Sequence, residues 1–441
     1  MIIQSVRTIN SHQPLITTPP LQQCELIVII PVKDEAQTLD QNLAAFANQT
    51  YLTGQPLCPS RYEIIILANN CTDESAQIAR RFAKNHPRLA VHVAEVTLPP
   101  DRAYIGYVRK LLMDEAYQRL SSLGKSRGII ASTDGDTSAS ATWVAAILAE
   151  MQSGVDAVGG RILTDRHSRQ ALHPQAKSCF LQEVGYRSLV AEIEFHLDPD
   201  PYDPLPRHYQ HYGASLAVTA EMYAKAGGIP PVRTPEDEAF YQALLRVDAR
   251  FRHSPLVQVT TSARASGRSP VGLAAQLRKW TEMSAGSTVT VEPTTVMIGW
   301  FKSRRKLRLL WQQLSFESQL SLDQVEPLAS KLGISANWLF AELRQDHTFG
   351  RLVDRVTQHQ QRHDLSRWQP IEIATAIREL RQYLATLKHH TSQRNQLNSR
   401  SFSPSGTPVS SRSLGRGSIV AIALSYQCCR CAASARSKRL R

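Results

Sequence analysis

Apolar and polar positions divide the first third of the chain into short apolar runs, each followed by a longer stretch with helical spacing. The runs are nearly continuous, as expected of strands buried on both faces of a parallel sheet. The predicted strands are residues 26–32, 63–68, 90–96 and 128–132, and the predicted helices are residues 34–48, 73–85, 104–123 and 141–151. This alternation predicts an α/β fold with a doubly wound, mainly parallel sheet flanked by helices.

The pattern changes twice further along the chain. Between residues 155 and 270, strand and helix patterns are mixed. Here we predict strands at 155–162 and 256–261, helices at 176–195 and 235–247, and a proline-rich loop at 198–206. Helical spacing then predominates, until Ser, Arg, Gly and Pro take over in the last fifty residues. The predicted organisation is an irregular N-terminal segment (1–22), an α/β domain (23–270), a helical extension (271–390) and a disordered basic tail (391–441).

The distribution of charge argues against a nucleic-acid-binding protein. The formal net charge is +13, from 51 Lys and Arg against 38 Asp and Glu. Nine of these basic residues lie in 391–441, which holds no acid, so residues 1–390 carry a net charge of only +4. A nucleic-acid-binding body would be strongly basic. We therefore expect no nucleic-acid partner.

Cysteine usage and hydropathy favour a cytoplasmic protein. The seven cysteines are irregularly spaced, with three of them crowded in the tail, and no set of CxxC pairs has the spacing of a zinc site or implies a disulfide framework. The first twenty residues lack the pattern of a signal peptide, and no run reaches the roughly 18 apolar residues of a membrane span. Peripheral contact with a membrane stays open.

Two carboxylates follow the fourth predicted strand directly, in the segment STDGDT. Asp134 and Asp136 are separated by Gly135, which permits a sharp turn. Ligands of open α/β sheets bind at the carboxyl ends of the strands, and Mg²⁺ takes one or two carboxylates together with substrate phosphates. The segment therefore predicts a divalent cation, Mg²⁺ or Mn²⁺, beside a nucleoside diphosphate. The alternative is an Asp-Gly turn without a ligand.

Polar side chains also follow the first two predicted strands. IIPVKDEAQTL places Glu35 at the start of a helix, where acids are common for local reasons. LANNCTDES places Asn69, Asn70 and Asp73 after the second strand, where they could accept hydrogen bonds from a base and a ribose. Helix capping by Thr72 or Asp73 explains the same residues equally well.

A pair of acids opens the helix predicted at 235–247. Glu236 and Asp237 follow a loop rich in glycine and proline, and one of them could act as the base that activates an acceptor. Thr234 and Asp237 also have the spacing of a capping box, with Pro235 suited to the first helical position. Both interpretations stay open at this point.

In their order and spacing, these segments resemble family 2 glycosyltransferases of the GT-A fold, from about Glu25 to Arg268. IIPVKDE is similar to that family's opening strand, LANNCTDES to its nucleotide-binding loop and STDGDT to its DxD motif. GASLAVTAEMYAKAGGI with the following PED is similar to its acceptor-side segment and ED motif. The resemblance implies a metal-dependent transfer of sugar, with inversion, from a nucleoside diphosphate-sugar to an acceptor hydroxyl. The acceptor stays unknown: a glycan, a lipid or a small molecule.

The resemblance also implies roles for particular residues. Asp237 would be the general base, with Glu236 supporting it, and Asp134 and Asp136 would hold the metal. The residues implied in nucleotide-sugar binding are Pro31, Lys33, Glu35, Asn69, Asp73 and Asp134.

The chain departs from the family pattern in two places. Ala68 and Asn69 stand where the family often has Asp-Asp, so the base of the donor is not predicted. The third metal position has no clear histidine. His253 is a candidate, although a surface position at the start of a strand fits it equally well, and Arg264 and Arg268 are candidates for contacting phosphates instead.

The main alternative from another class is a sugar-phosphate nucleotidyltransferase, which would use a similar sheet and paired acids. Such an enzyme normally has a glycine-rich loop with Lys or Arg after its first strand. The corresponding segment here, PVKDEAQTL, contains no glycine. A non-catalytic nucleic-acid-binding protein ranks lower, since the positive charge is concentrated in the tail.

Overall fold

The computed structural model describes residues 14–264, 267, 271–283, 287–317, 320–345, 348–362 and 368–400. The chain divides into two units, Met1–Lys388 and His389–Arg441. The sheet and the acidic residues at the ends of its strands belong to the first unit. Arg268 and residues 401–441 of the predicted tail lie outside the described residues.

A mixed eight-stranded sheet occupies the centre of the first unit, in the order β3-β2-β1-β4-β7-β6-β8-β5. Strand β1 is parallel to β2 and β4, and β2 is parallel to β3, as is β6 to β8. Strand β7 is antiparallel to both β4 and β6, and β5 is antiparallel to β8. The strands are β1 (Leu26–Val32), β2 (Tyr62–Asn69), β3 (Ala90–Val96), β4 (Ile129–Ser132), β5 (Thr137–Ala139), β6 (Ala157–Thr164), β7 (Leu216–Thr219) and β8 (Phe251–Thr261). The predicted α/β class with a mainly parallel sheet is confirmed.

Helices cover both faces of this sheet. Leu26, Val28 and Ile30 of β1 belong to one apolar core, whereas Ile27 and Ile29 belong to the core on the other face. The continuous apolar run of β1 therefore fills both cores, as the pleat requires. The helices are α1 (Leu39–Ala47), α2 (Ser75–Asn85), α3 (Ile105–Ser122), α4 (Trp143–Gln152), α5 (Arg166–Gln170), α6 (Pro174–Leu197), α7 (Ala220–Lys225) and α8 (Glu236–Arg246).

Some elements differ from the sequence prediction. Strands β5 and β7 and the short helices α5 and α7 were not predicted, because three to six residues carry too little periodicity to be recognised. Strand β8 begins at Phe251, five residues before its predicted start, because Arg252 and His253 are buried as partners of Asp203. Helix α1 begins at Leu39 rather than at residue 34, because Asp34 has a φ of 49°.

The second half of the unit is mainly helical, as predicted. Ile193 of α6 packs in one apolar cluster with Met297, Phe301 and Leu380. The helices are α9 (Leu273–Thr281), α10 (Thr294–Glu317), α11 (Leu322–Leu332), α12 (Ala336–Leu343), α13 (Phe349–Arg362) and α14 (Ile373–Arg400), with a two-stranded ribbon of β9 (Thr290–Val291) and β10 (Ile371–Glu372). Helix α14 continues ten residues beyond the predicted start of the tail. Among the described residues, no helix has the length and apolar character needed to cross a membrane.

A buried acid ties the helical extension to α6. The Asp198 side chain is fully buried and accepts hydrogen bonds from the guanidinium groups of Arg304 and Arg308 on α10, the shortest at 2.6 Å. Arg304 also pairs with Glu194 of α6 at 2.8 Å. These contacts lower the pKa of Asp198 although burial opposes this. Helix α10 is therefore held to α6 by charge as well as by apolar packing.

We expect Asp198→Ala to destabilise the protein by about 3 kcal/mol, because it removes the buried partner of two guanidinium groups. Glu183→Ala is a suitable control. Its side chain makes an i,i+4 pair with Arg187 on the same helix, and such exposed pairs contribute about 0.5 kcal/mol or less. Urea denaturation of both variants tests the difference. Equal losses would contradict an anchoring role for Asp198.

Candidate functional site

The loops that follow β1 and β2 are bonded to each other. The backbone N–H of Glu35 donates to Ser75 Oγ at 2.8 Å, and that of Ala36 donates to Asp73 Oδ2 at 3.0 Å. Asp73 Oδ1 also accepts hydrogen bonds from the backbone N–H and the hydroxyl of Ser75. The Asp73 carboxylate thus fixes two loops to each other. Neither Asp73 nor Thr72 is the N-cap of α2, which is Glu74 without a side-chain cap.

Residues at the ends of β1 and β2 surround this junction. Pro31 and Asn69 are buried, and Lys33 is half-buried. Asn70 has a φ of 50°, and its amide accepts from the backbone N–H of Leu98 and donates to the carbonyl oxygen of the same residue. Asn70 therefore fixes the chain path after β2, whereas Asn69 lies at the strand end itself.

Asp134 pairs with a buried arginine that the sequence analysis did not single out. Arg109 of α3 is 3% exposed, and its Nη2 donates to Asp134 Oδ1 at 2.9 Å. Its Nε donates to Glu236 Oε1 at 3.2 Å, and its Nη1 donates to Ser132 Oγ. A single guanidinium thus joins the carboxylate after β4 to the acid pair of α8.

Gly213 connects the same group to Asp237. Its carbonyl oxygen accepts from Arg109 and from Ser132, and its backbone N–H donates to Asp237 Oδ2 at 3.0 Å. A Cβ at this position would lie 2.6 Å from the Arg109 guanidinium, so any larger residue would displace that group. Gly213 lies inside the segment GASLAV, but its spacing to Arg109 gives no signal in the sequence.

The acids that open α8 have different environments. Glu236 is buried, and burial raises its pKa against the opposing effect of Arg109. Asp237 is half-buried, and its two carboxylate oxygens accept the backbone N–H groups of Gly213 and Glu238. The expected capping box between Thr234 and Asp237 is wrong: the helix starts after Pro235 and no side chain caps it. The Asp237 carboxylate lies instead against Gly213.

Asp136 pairs with a different arginine. Arg264, three residues past the end of β8, forms an ion pair with Asp136, with 2.9 Å between Nη2 and Asp136 Oδ2. The same guanidinium makes a bidentate pair with Glu35, with distances of 2.8 and 3.1 Å. Burial raises the pKa of Asp136 to about 6, and the nearby charges of Asp134 and Glu35 add to this effect while Arg264 opposes it.

Close packing, rather than an unusual backbone angle, favours a small residue at Gly135. A Cβ there would lie 3.2 Å from Val32 Cγ2 and 3.4 Å from Glu35 Cγ. The Gly135 carbonyl oxygen accepts a hydrogen bond of 2.9 Å from the amide of Asn42. The turn between Asp134 and Asp136 is thereby held against β1 and α1.

In the described part of the chain, the carboxylates grouped around Asp134 and Asp136 outnumber the guanidinium groups that contact them. The two guanidinium groups of Arg109 and Arg264 face five carboxylates, namely those of Glu35, Asp134, Asp136, Glu236 and Asp237. Burial is the main cause of the raised pKa of Asp136, and the neighbouring carboxylates of Asp134 and Glu35 add to it. A divalent cation fits such a set of oxygen donors, because hard cations prefer carboxylates and would offset the surplus charge.

A second acidic group lies in the loops after β1 and β2. Ligand atoms of Asp34, Cys71 and Asp73 lie within 4.8 Å of one another. Asp34 Oδ1 accepts from the backbone N–H of Thr72 at 2.6 Å, and Asp73 holds Ser75 and Ala36 as described. These hydrogen bonds are those of a loop junction.

His253 does not lie beside the carboxylates after β4. His253 on β8 pairs with Gly159 on β6, and the same row of paired residues continues through β7 to Ser132 on β4. His253 is therefore three strands away from Ser132, which is roughly 14 Å at ordinary strand spacing. Its Nδ1 contacts Asp203 at 2.7 Å, and burial lowers its pKa. The alternative of a surface position is wrong. His211 is the histidine next to α8, with Nε2 2.8 Å from Glu238.

Fold and site together define an α/β protein that gathers acidic side chains at the carboxyl ends of its strands, where such sheets bind ligands. Residues 27–201 match the family model described as Glycosyl transferase family 2. Over these residues, the resemblance found in the sequence is confirmed. The glycosyltransferase AglE of Haloferax volcanii is 30% identical over 137 residues, which are 31% of this chain and 38% of that protein.

Solved structures with similar folds are distant. The mannosyltransferase PcManGT from Pyrobaculum calidifontis, in complex with GDP-Man and Mn²⁺, is 15% identical with a TM-score of 0.35, over 86% of this chain and 84% of that one. Residues 1–349 of TarS from S. aureus, in complex with UDP, are 11% identical with a TM-score of 0.39, over 77% of this chain and 92% of that one.

Proposed function

We propose that this protein transfers a sugar from a nucleoside diphosphate-sugar to an acceptor hydroxyl, with a divalent cation, Mg²⁺ or Mn²⁺, at Asp134 and Asp136. The observation that carries the proposal is the excess of carboxylates after β4, linked through Arg109 and Gly213 to Asp237. The family match over residues 27–201 supports the class of reaction. A cytoplasmic location remains a prediction from the sequence.

In the proposed reaction, one group of residues acts on the sugar donor and another acts on the acceptor. On the donor side, a cation held by Asp134 and Asp136 would offset the charge that develops on the leaving diphosphate. Pro31, Lys33, Glu35 and Asn69 surround the place for the nucleotide. Asp73 would act there indirectly, by holding the two loops together.

On the acceptor side, Asp237 is the proposed general base. Its carboxylate is half-buried and oriented by the backbone N–H groups of Gly213 and Glu238. Glu236 is occupied by Arg109 and buried, so it supports the site by fixing that arginine rather than by taking the proton. Removal of the acceptor proton by Asp237 during direct attack on the anomeric carbon gives inversion.

The proposal is tested by a screen of donor hydrolysis. The full chain is incubated with UDP-, GDP- and dTDP-sugars in the presence of Mn²⁺, Mg²⁺ or a chelator. Slow release of nucleoside diphosphate from one donor, only with a divalent cation, is the expected result. Nucleotidyl transfer from a nucleoside triphosphate to a sugar phosphate, without such release, would overturn the proposal.

Asp136→Asn should abolish the response to Mn²⁺ while keeping the fold. An amide does not offset the charge of the cation, so the rise in melting temperature with Mn²⁺ should disappear. Without metal, this variant should be at least as stable as the wild type at neutral pH, because it removes a carboxylate whose ionisation is less favourable in the folded protein than in the unfolded chain. Asp101→Asn, at an exposed acid, is the control. An unchanged response in Asp136→Asn would contradict the metal assignment.

Stabilisation by Mn²⁺ should depend on pH around 6. The pKa of Asp136 is raised from 3.8 to about 6, and its carboxyl must lose a proton to bind the cation. The rise in melting temperature caused by Mn²⁺ should therefore be full at about pH 7.5 and mostly lost at about pH 5. A response that stays constant across this interval would show that Asp136 does not bind the ion.

A further inference from the structure

Arg264 lies in contact with the carboxylate that the proposed cation would use. Its Nη2 is 2.9 Å from Asp136 Oδ2 and 2.8 Å from Glu35 Oε1. Glu35 is 9% exposed at its side chain and Asp136 is 21% exposed, so solvent screens these contacts incompletely. The guanidinium therefore supplies the positive charge that these two acids need.

A divalent cation and this guanidinium would compete for the same carboxylate oxygens. Two cations at adjoining positions repel each other, and the repulsion is strong where water is partly excluded. Arg264 has a side chain that is 32% exposed, and its backbone belongs to the segment after β8 rather than to a strand or helix. Its side chain can therefore leave Asp136 without disturbing the sheet.

The released guanidinium has one obvious partner. Its Nε is buried and makes no hydrogen bond in the described part of the chain. A planar guanidinium with donors on three nitrogens matches the oxygens of a phosphate group. The nucleoside diphosphate would bring that anion to the same strand ends as the cation.

We propose that Arg264 is the resident cation of Asp136 and Glu35 in the ligand-free protein, and that a divalent cation displaces it towards the diphosphate of the donor. The inference rests on the proposed function for the identity of the anion. Arg264 then weakens the binding of metal alone and strengthens the binding of nucleotide with metal. The site would fill with metal and donor together rather than with metal first.

The test measures two affinities of the full chain that should change in opposite directions. Binding of Mn²⁺ alone is followed by the EPR signal of the free ion, and binding of UDP, GDP and dTDP is followed by calorimetry with Mn²⁺ present. Arg264→Met should bind Mn²⁺ alone at least about tenfold more tightly and nucleotide about tenfold more weakly. Arg264→Lys should fall between, because lysine keeps the charge without the bidentate geometry.

Arg166→Met is the matched control, since it removes the same charge from an exposed position at the start of α5. It should leave both affinities within about twofold of the wild type. Unchanged or weaker Mn²⁺ binding by Arg264→Met, including no binding by either protein, would overturn the inference. Tighter Mn²⁺ binding without any nucleotide binding by the wild type would support the displaced cation but contradict sugar-nucleotide transfer, so the two failures are distinguishable.

Discussion

Arg109→Met is expected to lower the free energy of unfolding by about 3–5 kcal/mol at neutral pH, because it removes the buried cation that pairs with the buried Glu236 and with Asp134. Arg109 is 3% exposed and pairs with both Asp134 and Glu236. The same variant should lose donor hydrolysis, since Asp134 would no longer be held beside Asp136. Urea denaturation and the donor assay measure the two effects.

Lys110→Met is the control for Arg109→Met. Lys110 is the next residue of α3, and its pair with Asp114 is about one-third exposed, so its loss should cost about 1 kcal/mol or less. A second variant, Gly213→Ala, should displace the Arg109 guanidinium without removing its charge, because the new Cβ would lie 2.6 Å from it. Equal stability of the Arg109 and Lys110 variants would show that the ion pairs of Arg109 with Asp134 and Glu236 do not stabilise the fold.

The loss in Arg109→Met should depend on pH. Burial already raises the pKa of Glu236 above its ordinary value of 4.5, and Arg109 is the neighbour that lowers it. Without Arg109 the folded-state pKa rises further, and a carboxyl of this kind destabilises the fold increasingly as the pH rises above 4.5. The difference from wild type should therefore be smaller at about pH 4.5 than at about pH 8.

Asp237→Asn is expected to reduce sugar transfer by about 10²-fold or more while folding and donor binding stay nearly unchanged. An amide cannot take the acceptor proton, but its oxygen can still accept the hydrogen bond from the backbone N–H of Gly213. The cost in stability should be about 1 kcal/mol. The measurement is transfer to a saturating acceptor or surrogate alcohol, beside donor affinity.

Glu238→Gln is the matched control, since Glu238 is the next acid of α8, is 43% exposed and pairs with His211. Its loss should leave transfer within about threefold of the wild type, because its carboxylate points to His211 rather than to Gly213. Near-normal transfer by Asp237→Asn would contradict its role as the base, and Glu236 would be the next candidate.

The helical extension has a structural role that the sequence did not reveal. Its apolar residues, such as Phe301 and Leu380, share a cluster with Ile193 of α6, and Arg304 and Arg308 neutralise Asp198. Helical spacing predicted that these residues form helices but did not predict what they cover. The partner of an amphipathic face depends on the path of the whole chain.

The sequence by itself determined the strands β1, β2, β3 and β4 and the position of Asp134 and Asp136 after β4. The alternation of short apolar runs with helical stretches is a local pattern, so β1, β2, β3 and β4 appear within one residue of their predicted bounds at either end. Asp134 and Asp136 follow β4 directly, so strand and acids are linked by a few peptide bonds. Their position at the edge of the sheet followed from the strand prediction alone.

Only the tertiary structure decided which cations meet these acids. Arg109 contacts Glu236 across 127 residues of sequence, and Arg264 contacts Glu35 across 229. The antiparallel insertion of β7 beside β4 brings Gly213 to Arg109, and no local spacing encodes that neighbour. Periodicity records which face of an element is buried, whereas the partner of a buried charge is set by strand order. The pairing of Asp134 and Asp136 with two different arginines is for that reason a property of the fold.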